Sequence, residues 1–283
     1  MIALFWILSK LPFTIRYSLL YVTFLFVNSP SKNERNAIRV NAIRALGESH
    51  ITEFEYPFYK LYRRHQASAI ALCVSVVCGG ITKTNLIRFS GLESISSAHP
   101  KLILLDHFGS FGAPSLLLSA YGIRTSCISY VDANSWYTST WEPVVRRYFP
   151  GFSHHQYIET PSRNLASEIE GSLAKGEALL TFVDANAGMR VSHDECAFLD
   201  GSIPITEGIL NRAVRASANV FYLCCDYANL PALPWKHRIS FWLEPIEYSN
   251  EQELVHSVKN RLHQLEARIT THPHYWSLWK YFK

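Results

Sequence analysis

The chain has 283 residues, of which 48% are hydrophobic, and this is enough to form a large core in a single folded domain. Its 27 Lys and Arg residues stand against 23 Asp and Glu residues. These basic residues are scattered, whereas nucleic acids are bound by a concentrated basic face, so the composition argues against nucleic acid as a partner. The six cysteines show no CxxC pair and no zinc-ligand spacing, so we predict reduced thiols and no metal site.

The N-terminal residues 2–27 form an apolar, aromatic stretch that is interrupted by Lys10, Pro12 and Arg16. A bilayer-spanning helix needs about 20 mostly apolar residues, which this stretch reaches only if both charges are accommodated. The same pattern suits a helix lying in the membrane interface, and a buried core helix is the remaining alternative. Basic residues follow directly from Lys32 onwards, which places the rest of the chain on the cytoplasmic side. We predict a membrane-associating helical segment at residues 1–30.

The remaining chain predicts helices first and then alternating strands and helices. Apolar residues at helical spacing, ended by glycines, indicate helices over 33–47 and within 53–78. The β-rich runs lie at 85–91, 101–107, 124–131, 155–160, 178–184, 219–227 and 237–248, and the helical runs between or after them at 113–121, 136–148, 162–174, 206–216 and 250–270. This alternation is typical of an α/β fold with a central, mostly parallel sheet flanked by helices. No repeat or linker indicates a further domain, so residues 31–283 are expected to fold as one unit.

The stretch "LILLDHFGSFGAP" at 102–114 predicts a buried strand that ends at His107 and turns through glycines into a helix. Ligands of α/β sheets bind beyond the carboxyl ends of the strands, where His107 and Asp184 both fall. An imidazole at such a place can act as a general base near neutral pH. Gly109 and Gly112 would let backbone N–H groups approach a developing oxyanion. A hydrogen-bonded structural histidine is the alternative interpretation.

Several stretches, in order, resemble one known family. "LLDHFGSFGAPSLLL" resembles the first motif of the late acyltransferases of lipid A biosynthesis, the lauroyl and myristoyl transferases of the lysophospholipid acyltransferase superfamily. "GEALLTFVDANAG" and "AFLDGSIPITEGILNRAVRASANVFYLCC" are similar to the family's second block, and "THPHYWSLWKYFK" is similar to its C-terminal signature. "ERNAIRVNAIRALGE" is similar to its early helix. The resemblance extends over residues 33–283.

This resemblance implies a membrane-associated acyltransferase at the cytoplasmic face of the inner membrane. It would move a fatty acyl group from an acyl carrier protein or coenzyme A thioester to a hydroxyl, or sometimes an amine, of a lipid or natural-product acceptor. His107 matches the catalytic base, and Asp184 matches the acidic residue of the second block. Arg146 or Arg147 lies roughly where the family keeps an arginine. No cofactor is implied, because a thioester already carries a good leaving group.

Position 112 departs from the family's pattern, in which a glutamate follows the histidine by five residues. Gly112 supplies no carboxylate to orient His107, and loss of such an orienting acid in a serine protease lowers the rate by about 10⁴. Asp184 is our first candidate to replace it. Asp106 is the second. Adjacent side chains on a strand leave on opposite faces, so Asp106 could reach the His107 ring only if the chain twists at the turn. The acids at 207 and 226 are more remote candidates.

The predicted substrate-binding residues are Gly109, Ser110, Gly112, Arg146 and Arg147, which would polarise the thioester carbonyl. One alternative belongs to another class of function. The chain could be a catalytically degenerate homologue that binds a lipid, an acyl chain or a partner protein in an assembly role. A carboxylate within hydrogen-bond distance of the His107 ring distinguishes the enzyme from this homologue.

Overall fold

The computed structural model describes residues 2–27, 30–48, 51, 55–79, 84–95, 98–130, 155–160, 162–185, 194–229, 232–280 and 282. The helices are α1 (Ile2–Lys10), α2 (Phe13–Val27), α3 (Lys32–Leu46), α4 (Glu55–Gly79), α5 (Ala113–Ala120), α6 (Leu165–Ala174), α7 (Glu207–Arg215) and α8 (Glu251–Thr271). The strands are β1 (Ile87–Ser90), β2 (Lys101–Leu105), β3 (Thr125–Tyr130), β4 (His155–Thr160), β5 (Ala178–Phe182), β6 (Glu195–Phe198), β7 (Gly201–Pro204), β8 (Asn219–Ala228) and β9 (Arg238–Ile246). Short 3-10 helices lie at Leu92–Ile95, Pro234–Lys236, Pro273–Tyr275 and Ser277–Lys280.

A seven-stranded sheet forms the centre of the fold, in the order β1-β9-β8-β2-β5-β3-β4. The five strands from β8 to β4 in that order are mutually parallel, whereas β9 is antiparallel to β8 and β1 is parallel to β9. Every residue of β2 is buried. Continuous burial is typical of a parallel strand that is covered on both faces. The predicted α/β class, with a central mostly parallel sheet flanked by helices, is confirmed.

One element that the sequence pattern did not predict is the antiparallel hairpin of β6 and β7. Its strands have four residues each. This stretch lies between the predicted strand at 178–184 and the predicted helix at 206–216, and the sequence pattern left it unassigned. The predicted helix at 136–148 lies outside the described residues.

The helices α1 and α2 pack against α4. One face of α2 is buried, and its residues are Phe13, Arg16, Tyr17, Leu20 and Tyr21. The opposite face is solvent-exposed yet apolar, and it carries Ile15, Leu19, Val22 and Phe26 at helical spacing. Within the described part of the chain, no helix has both the length and the apolar character needed to cross a bilayer. The prediction of a membrane-associating segment is not tested by this packing.

Arg16, which interrupts the apolar N-terminal pattern, is a buried residue that joins the first two helices. Its Nη1 donates to the carbonyl oxygens of Leu8 and Leu11, at 3.4 and 3.2 Å. Burial lowers the pKa of Arg16, with the nearby Cys78 opposing the shift. The arginine therefore donates to carbonyl groups at and just after the C-terminal end of α1.

The hydroxyl of Tyr17 attaches α2 to two separate parts of the fold. It lies 2.7 Å from Ser68 Oγ in α4 and 2.8 Å from His237 Nδ1, just before β9. All three side chains are fully buried. Buried polar groups lose their hydrogen bonds to water, and the Tyr17 hydroxyl replaces one such bond for each of its two neighbours.

Replacement Tyr17→Phe is expected to lower the free energy of unfolding by about 1–3 kcal/mol, because it leaves buried polar atoms of Ser68 and His237 without this partner. Urea denaturation measures the change. Thr23→Ala is the matched control, since it removes an exposed hydroxyl from the same helix. An equal loss in both variants would contradict the role assigned to Tyr17.

Candidate active site

His107 and Asp184 lie at the same edge of the sheet because β2 and β5 are adjacent and parallel. The last paired residues of these strands are Leu105 and Phe182. His107 and Asp184 each follow two residues later, and Val183 still donates its N–H to the Leu105 carbonyl at 2.9 Å. The two side chains therefore leave neighbouring strand ends at the same level, as expected for a site beyond the carboxyl ends of parallel strands.

The His107 ring and the Asp184 carboxylate form a direct contact, with 2.8 Å between His107 Nδ1 and Asp184 Oδ1. An ionised carboxylate can only accept hydrogen bonds, so Nδ1 carries the shared proton, and in the neutral ring Nε2 presents a lone pair. The Asp184 side chain is 0% exposed and the His107 side chain 13% exposed. Within the described residues, Nε2 has no hydrogen-bond partner. The ring is thus fixed at one nitrogen and available at the other.

The second oxygen of Asp184 accepts two further hydrogen bonds. The donors are the backbone N–H of His107 and the indole Nε1–H of Trp276, both at 2.9 Å from Oδ2. Trp276 is fully buried. A buried carboxylate is costly unless it is hydrogen-bonded, and these donors compensate its charge. They also fix the direction in which Oδ1 faces the imidazole.

The C-terminal segment 275–277 holds the loop that carries His107. Phe108 and Trp276 form an isolated antiparallel bridge. Gly109 donates its N–H to the Tyr275 carbonyl at 2.9 Å, and Ser277 donates to the His107 carbonyl at 3.0 Å. From the sequence, Trp276 has no role beyond its place in the C-terminal signature, and the bond from Trp276 to Asp184 is not predicted. The resemblance of this segment to the family's C-terminal signature was the sequence signal that could have pointed to a role for Trp276.

Two phenylalanines flank the imidazole of His107. The ring centroid of Phe182 lies 4.1 Å from that of His107 in a stacked arrangement, and the Phe111 centroid lies 4.8 Å away. Both phenylalanine side chains are partly exposed. The His107 ring therefore lies beside a partly exposed apolar surface.

Asp106 belongs to a separate cluster, and its carboxylate has other partners than His107. Its Oδ1 accepts the Phe108 N–H at 2.9 Å, and its Oδ2 accepts the Tyr222 hydroxyl at 2.7 Å and lies 3.6 Å from Arg268 Nη1. Asp106, the second candidate, therefore does not face the imidazole, and Asp184, the first candidate, does, because adjacent residues at a strand end project to different sides. Burial raises the pKa of Asp106 to about 6, an effect that Arg268 opposes.

The loop after His107 is tightly packed, and two of its backbone N–H groups bind other parts of the protein. Gly109 has a φ of +73°, and an added Cβ would lie 2.7 Å from Cys225 Sγ, so only glycine fits there. Its N–H is bound to Tyr275, as described above. Ser110 is fully buried, its hydroxyl bonds to Tyr227, and its N–H donates to Cys225 Sγ at 3.3 Å. Both backbone N–H groups are thus already bound within the protein, and a substrate contact of Gly109 or Ser110 stays a prediction.

Gly112 remains as the donor of this loop that could face a substrate. It is exposed and precedes α5. In the described structure its N–H forms no hydrogen bond, whereas the N–H of Phe111 donates to the Gly109 carbonyl at 3.0 Å. An N–H at a helix start is suited to an oxyanion.

The remaining candidates are two arginines and two acids. Arg146 and Arg147 lie outside the described residues, so their predicted part in substrate binding stays a prediction. Glu207 begins α7. Asp226 accepts the N–H of Tyr227 at 2.7 Å. Neither of these acids contacts His107 in the part of the chain that the structure describes.

The raised pKa of Asp106 predicts a pH dependence of stability. In the folded state its carboxyl keeps its proton up to about pH 6, whereas in the unfolded chain it loses the proton near its ordinary value of 3.8. Ionisation of Asp106 therefore lowers the free energy of unfolding as the pH rises from about 4 to about 6. The decrease is at most roughly 3 kcal/mol. Asp106→Asn should reduce this loss in urea denaturation at pH 4.5 and pH 7. The exposed Asp226→Asn is the control, and an unchanged pH dependence in Asp106→Asn would contradict the assignment.

The comparisons with known proteins give limited similarity. The sequence matches no protein-family model and no curated protein. One similar solved structure is the crystal structure of the 1-acyl-sn-glycerophosphate (LPA) acyltransferase PlsC from Thermotoga maritima, with a TM-score of 0.41. The two chains are 13% identical, and the match covers 90% of this chain and 98% of that chain. A function for this chain therefore has to follow from the geometry of its own residues.

Proposed function

We propose that this chain is a membrane-associated acyltransferase that moves a fatty acyl group from a thioester to an acceptor hydroxyl, with His107 as the general base. The observation that carries the proposal is the 2.8 Å contact between His107 Nδ1 and Asp184 Oδ1. Asp184 thereby supplies the carboxylate that Gly112 lacks. A carboxylate partner for the ring favours an enzyme over a catalytically degenerate homologue.

The first chemical step is removal of the acceptor's proton. His107 Nε2 takes the proton from the hydroxyl as its oxygen attacks the thioester carbonyl carbon. The imidazole becomes a cation, which the Asp184 carboxylate at Nδ1 stabilises. In a serine protease, the equivalent acid contributes about 10⁴ in rate, which corresponds to roughly 5 kcal/mol of barrier.

The second step is collapse of the tetrahedral intermediate. The carbonyl oxygen gains the negative charge, and the exposed Gly112 N–H before α5 is the described donor that can stabilise it. Re-formation of the carbonyl breaks the carbon–sulfur bond and releases a thiolate. The proton held by His107 Nε2 then passes to that thiolate, so the enzyme returns to its starting state.

The donor is an acyl carrier protein or coenzyme A thioester, and no further cofactor is required. The apolar surface of Phe111 and Phe182 beside the imidazole suits the first carbons of an acyl chain. The basic cluster Lys60–Arg64 in α4 is a candidate contact for an acidic carrier protein. The acceptor is a glycolipid such as a lipid A precursor, or a natural product such as a polyketide or aryl polyene.

The exposed apolar residues of the N-terminal helices support membrane association as part of the proposal. These residues are Trp6 and Ile7 on α1, and Ile15, Leu19, Val22 and Phe26 on α2. Their helices cover the protein core with one face and present this second apolar face outward. Helices of this kind lie in the plane of a membrane interface, here proposed as the cytoplasmic face of the inner membrane.

Transfer of label from radiolabelled acyl carrier protein, or from acyl-coenzyme A in a parallel assay, to a bacterial membrane extract tests the proposed chemistry. His107→Ala is expected to lower the transfer rate at least 10³-fold, and Asp184→Asn by about 10²–10⁴-fold, because the first removes the base and the second removes the charge that orients it. Asp226→Asn is the control carboxylate variant and should keep the wild-type rate. Equal transfer by wild type and His107→Ala would exclude His107 from the mechanism.

Trp276 is proposed as a positioning residue that acts through Asp184. Trp276→Phe keeps an aromatic ring and removes the N–H donor, so kcat should fall about tenfold while KM changes little, as expected for loss of about 1–1.5 kcal/mol. Trp279→Phe is a closely matched control, since its indole N–H donates to the Pro273 carbonyl at 2.6 Å instead. Both variants should lose similar stability, but only Trp276→Phe should lose kcat. An equal loss of kcat in both would indicate a purely structural role.

A further inference from the structure

A cavity of about 600 Å³ lies where the beginning of α2 meets the beginnings of β1 and β9. Its lining residues are Thr14, Thr84, Asn85, Leu86, Trp235 and Arg238. We call it the Arg238 pocket. None of these residues takes part in the chemistry proposed for His107.

The Arg238 pocket opens at the same edge of the sheet as His107. The strands β9 and β1 run opposite to β8 and β2, so their beginnings lie beside the carboxyl ends of the parallel strands. In the strand order β9 is two positions from β2, and β1 is three positions from it. At a strand spacing of about 4.8 Å, the pocket is displaced by roughly 10–14 Å along this edge. The pocket and the reactive imidazole thus share one edge of the fold without overlapping.

The polar groups of the Arg238 pocket are suited to a phosphate group. Arg238 donates one N–H to the His237 carbonyl at 2.7 Å and lines the cavity with the remainder of its side chain. The hydroxyls of Thr14 and Thr84 lie 3.5 Å apart, and the Asn85 amide adds a further donor. No acidic residue is among the described residues that line the cavity. A guanidinium with hydroxyl and amide donors is a favoured arrangement for phosphate oxygens.

The walls of the pocket are held in place by buried contacts. His237 precedes Arg238. Its Nε2 donates to the Ala232 carbonyl at 3.2 Å, so in the neutral ring its Nδ1 accepts from the Tyr17 hydroxyl at 2.8 Å. Its ring centroid lies 5.0 Å from that of Tyr21. Thr84 Oγ1 also accepts the Leu86 N–H at 3.1 Å. These contacts join α2 to both strand beginnings. A pre-formed site loses less conformational entropy when it binds a ligand.

The surroundings of the pocket are apolar and exposed, which a free phosphate ion would not require. Ile15 and Leu19 on α2 are 50% and 51% exposed, and Leu233 and Trp235 on the other side are 51% and 52% exposed. Lys236 adds an exposed positive charge between them and Arg238. A ligand that fits both features carries a phosphate next to hydrocarbon chains. Aromatic and basic residues together are typical of surfaces that contact a membrane interface.

We propose that the Arg238 pocket binds the phosphate of a membrane phospholipid that is not the reacting substrate. The bound headgroup would hold α2 against the bilayer and direct the His107 edge toward the membrane surface. This inference rests on the membrane association in the proposed function and is independent of acyl transfer.

Vesicle flotation at physiological salt tests the site without any acyl donor. The vesicles contain phosphatidylcholine alone, or phosphatidylcholine with a quarter of phosphatidic acid. Wild type and His107→Ala should bind the phosphatidic acid vesicles equally and more tightly than the neutral ones. Arg238→Gln should weaken that binding at least tenfold, which exceeds the roughly fivefold effect of one delocalised surface charge. Arg215→Gln should change it less than twofold, since Arg215 is an exposed arginine before β8, at the opposite edge of the sheet.

Calorimetry with soluble ligands distinguishes a phospholipid from free phosphate. Dihexanoyl phosphatidic acid should bind the wild type at least tenfold more tightly than inorganic phosphate does, and Thr14→Val should weaken this binding. Inorganic phosphate binding as tightly as the short-chain lipid would overturn the assignment to a phospholipid. Equal losses in Arg238→Gln and Arg215→Gln would overturn the pocket itself. A transferase assay that fails for every acyl donor would leave these binding results unaffected.

Discussion

The buried carboxylate of Asp184 is the group on which the candidate active site depends. Its side chain is fully enclosed, and its two oxygens receive three hydrogen bonds from the His107 ring, the His107 backbone and the Trp276 indole. A buried charge is unfavourable unless such donors compensate it. Because the donors come from the loop after β2 and from the C-terminal segment, these two parts of the chain are tied to β5 through one carboxylate.

In the proposed site, the acid that contacts the histidine comes from a different part of the chain than in the family that the sequence resembles. There the acid follows the histidine by five residues within the same loop, whereas here Gly112 occupies that position and precedes α5. An added Cβ at Gly112 would meet Cys73 Sγ at 3.4 Å. Asp184 reaches the imidazole from the neighbouring parallel strand instead. The chemical requirement is a carboxylate at Nδ1, and adjacent strand ends can satisfy it as well as a single loop can.

Two acids that lie close together at this sheet edge have different surroundings and different roles. Asp184 faces the imidazole, while Asp106 faces Tyr222 and Arg268 on the other side. The guanidinium of Arg268 also lies 4.3 Å from the centroid of the Phe108 ring. Asp106 and Arg268 therefore hold the backbone that follows β2. This leaves His107 between a structural cluster on one side and its orienting acid on the other.

The α/β class, the order of most strands and helices, and the position of His107 and Asp184 at strand ends could all be predicted from the amino-acid sequence. Those features depend on local patterns, namely apolar periodicity, glycine stops and burial of whole strands. The choice between the two candidate acids, Asp184 and Asp106, depends on the folded chain, because Asp184 reaches the imidazole only when β2 and β5 are neighbours. The tertiary structure also decided that the N–H groups of Gly109 and Ser110 are already bound, and that Trp276 donates to Asp184. These contacts join residues that are dozens of positions apart or more, and no local pattern in a single sequence encodes which distant groups will meet.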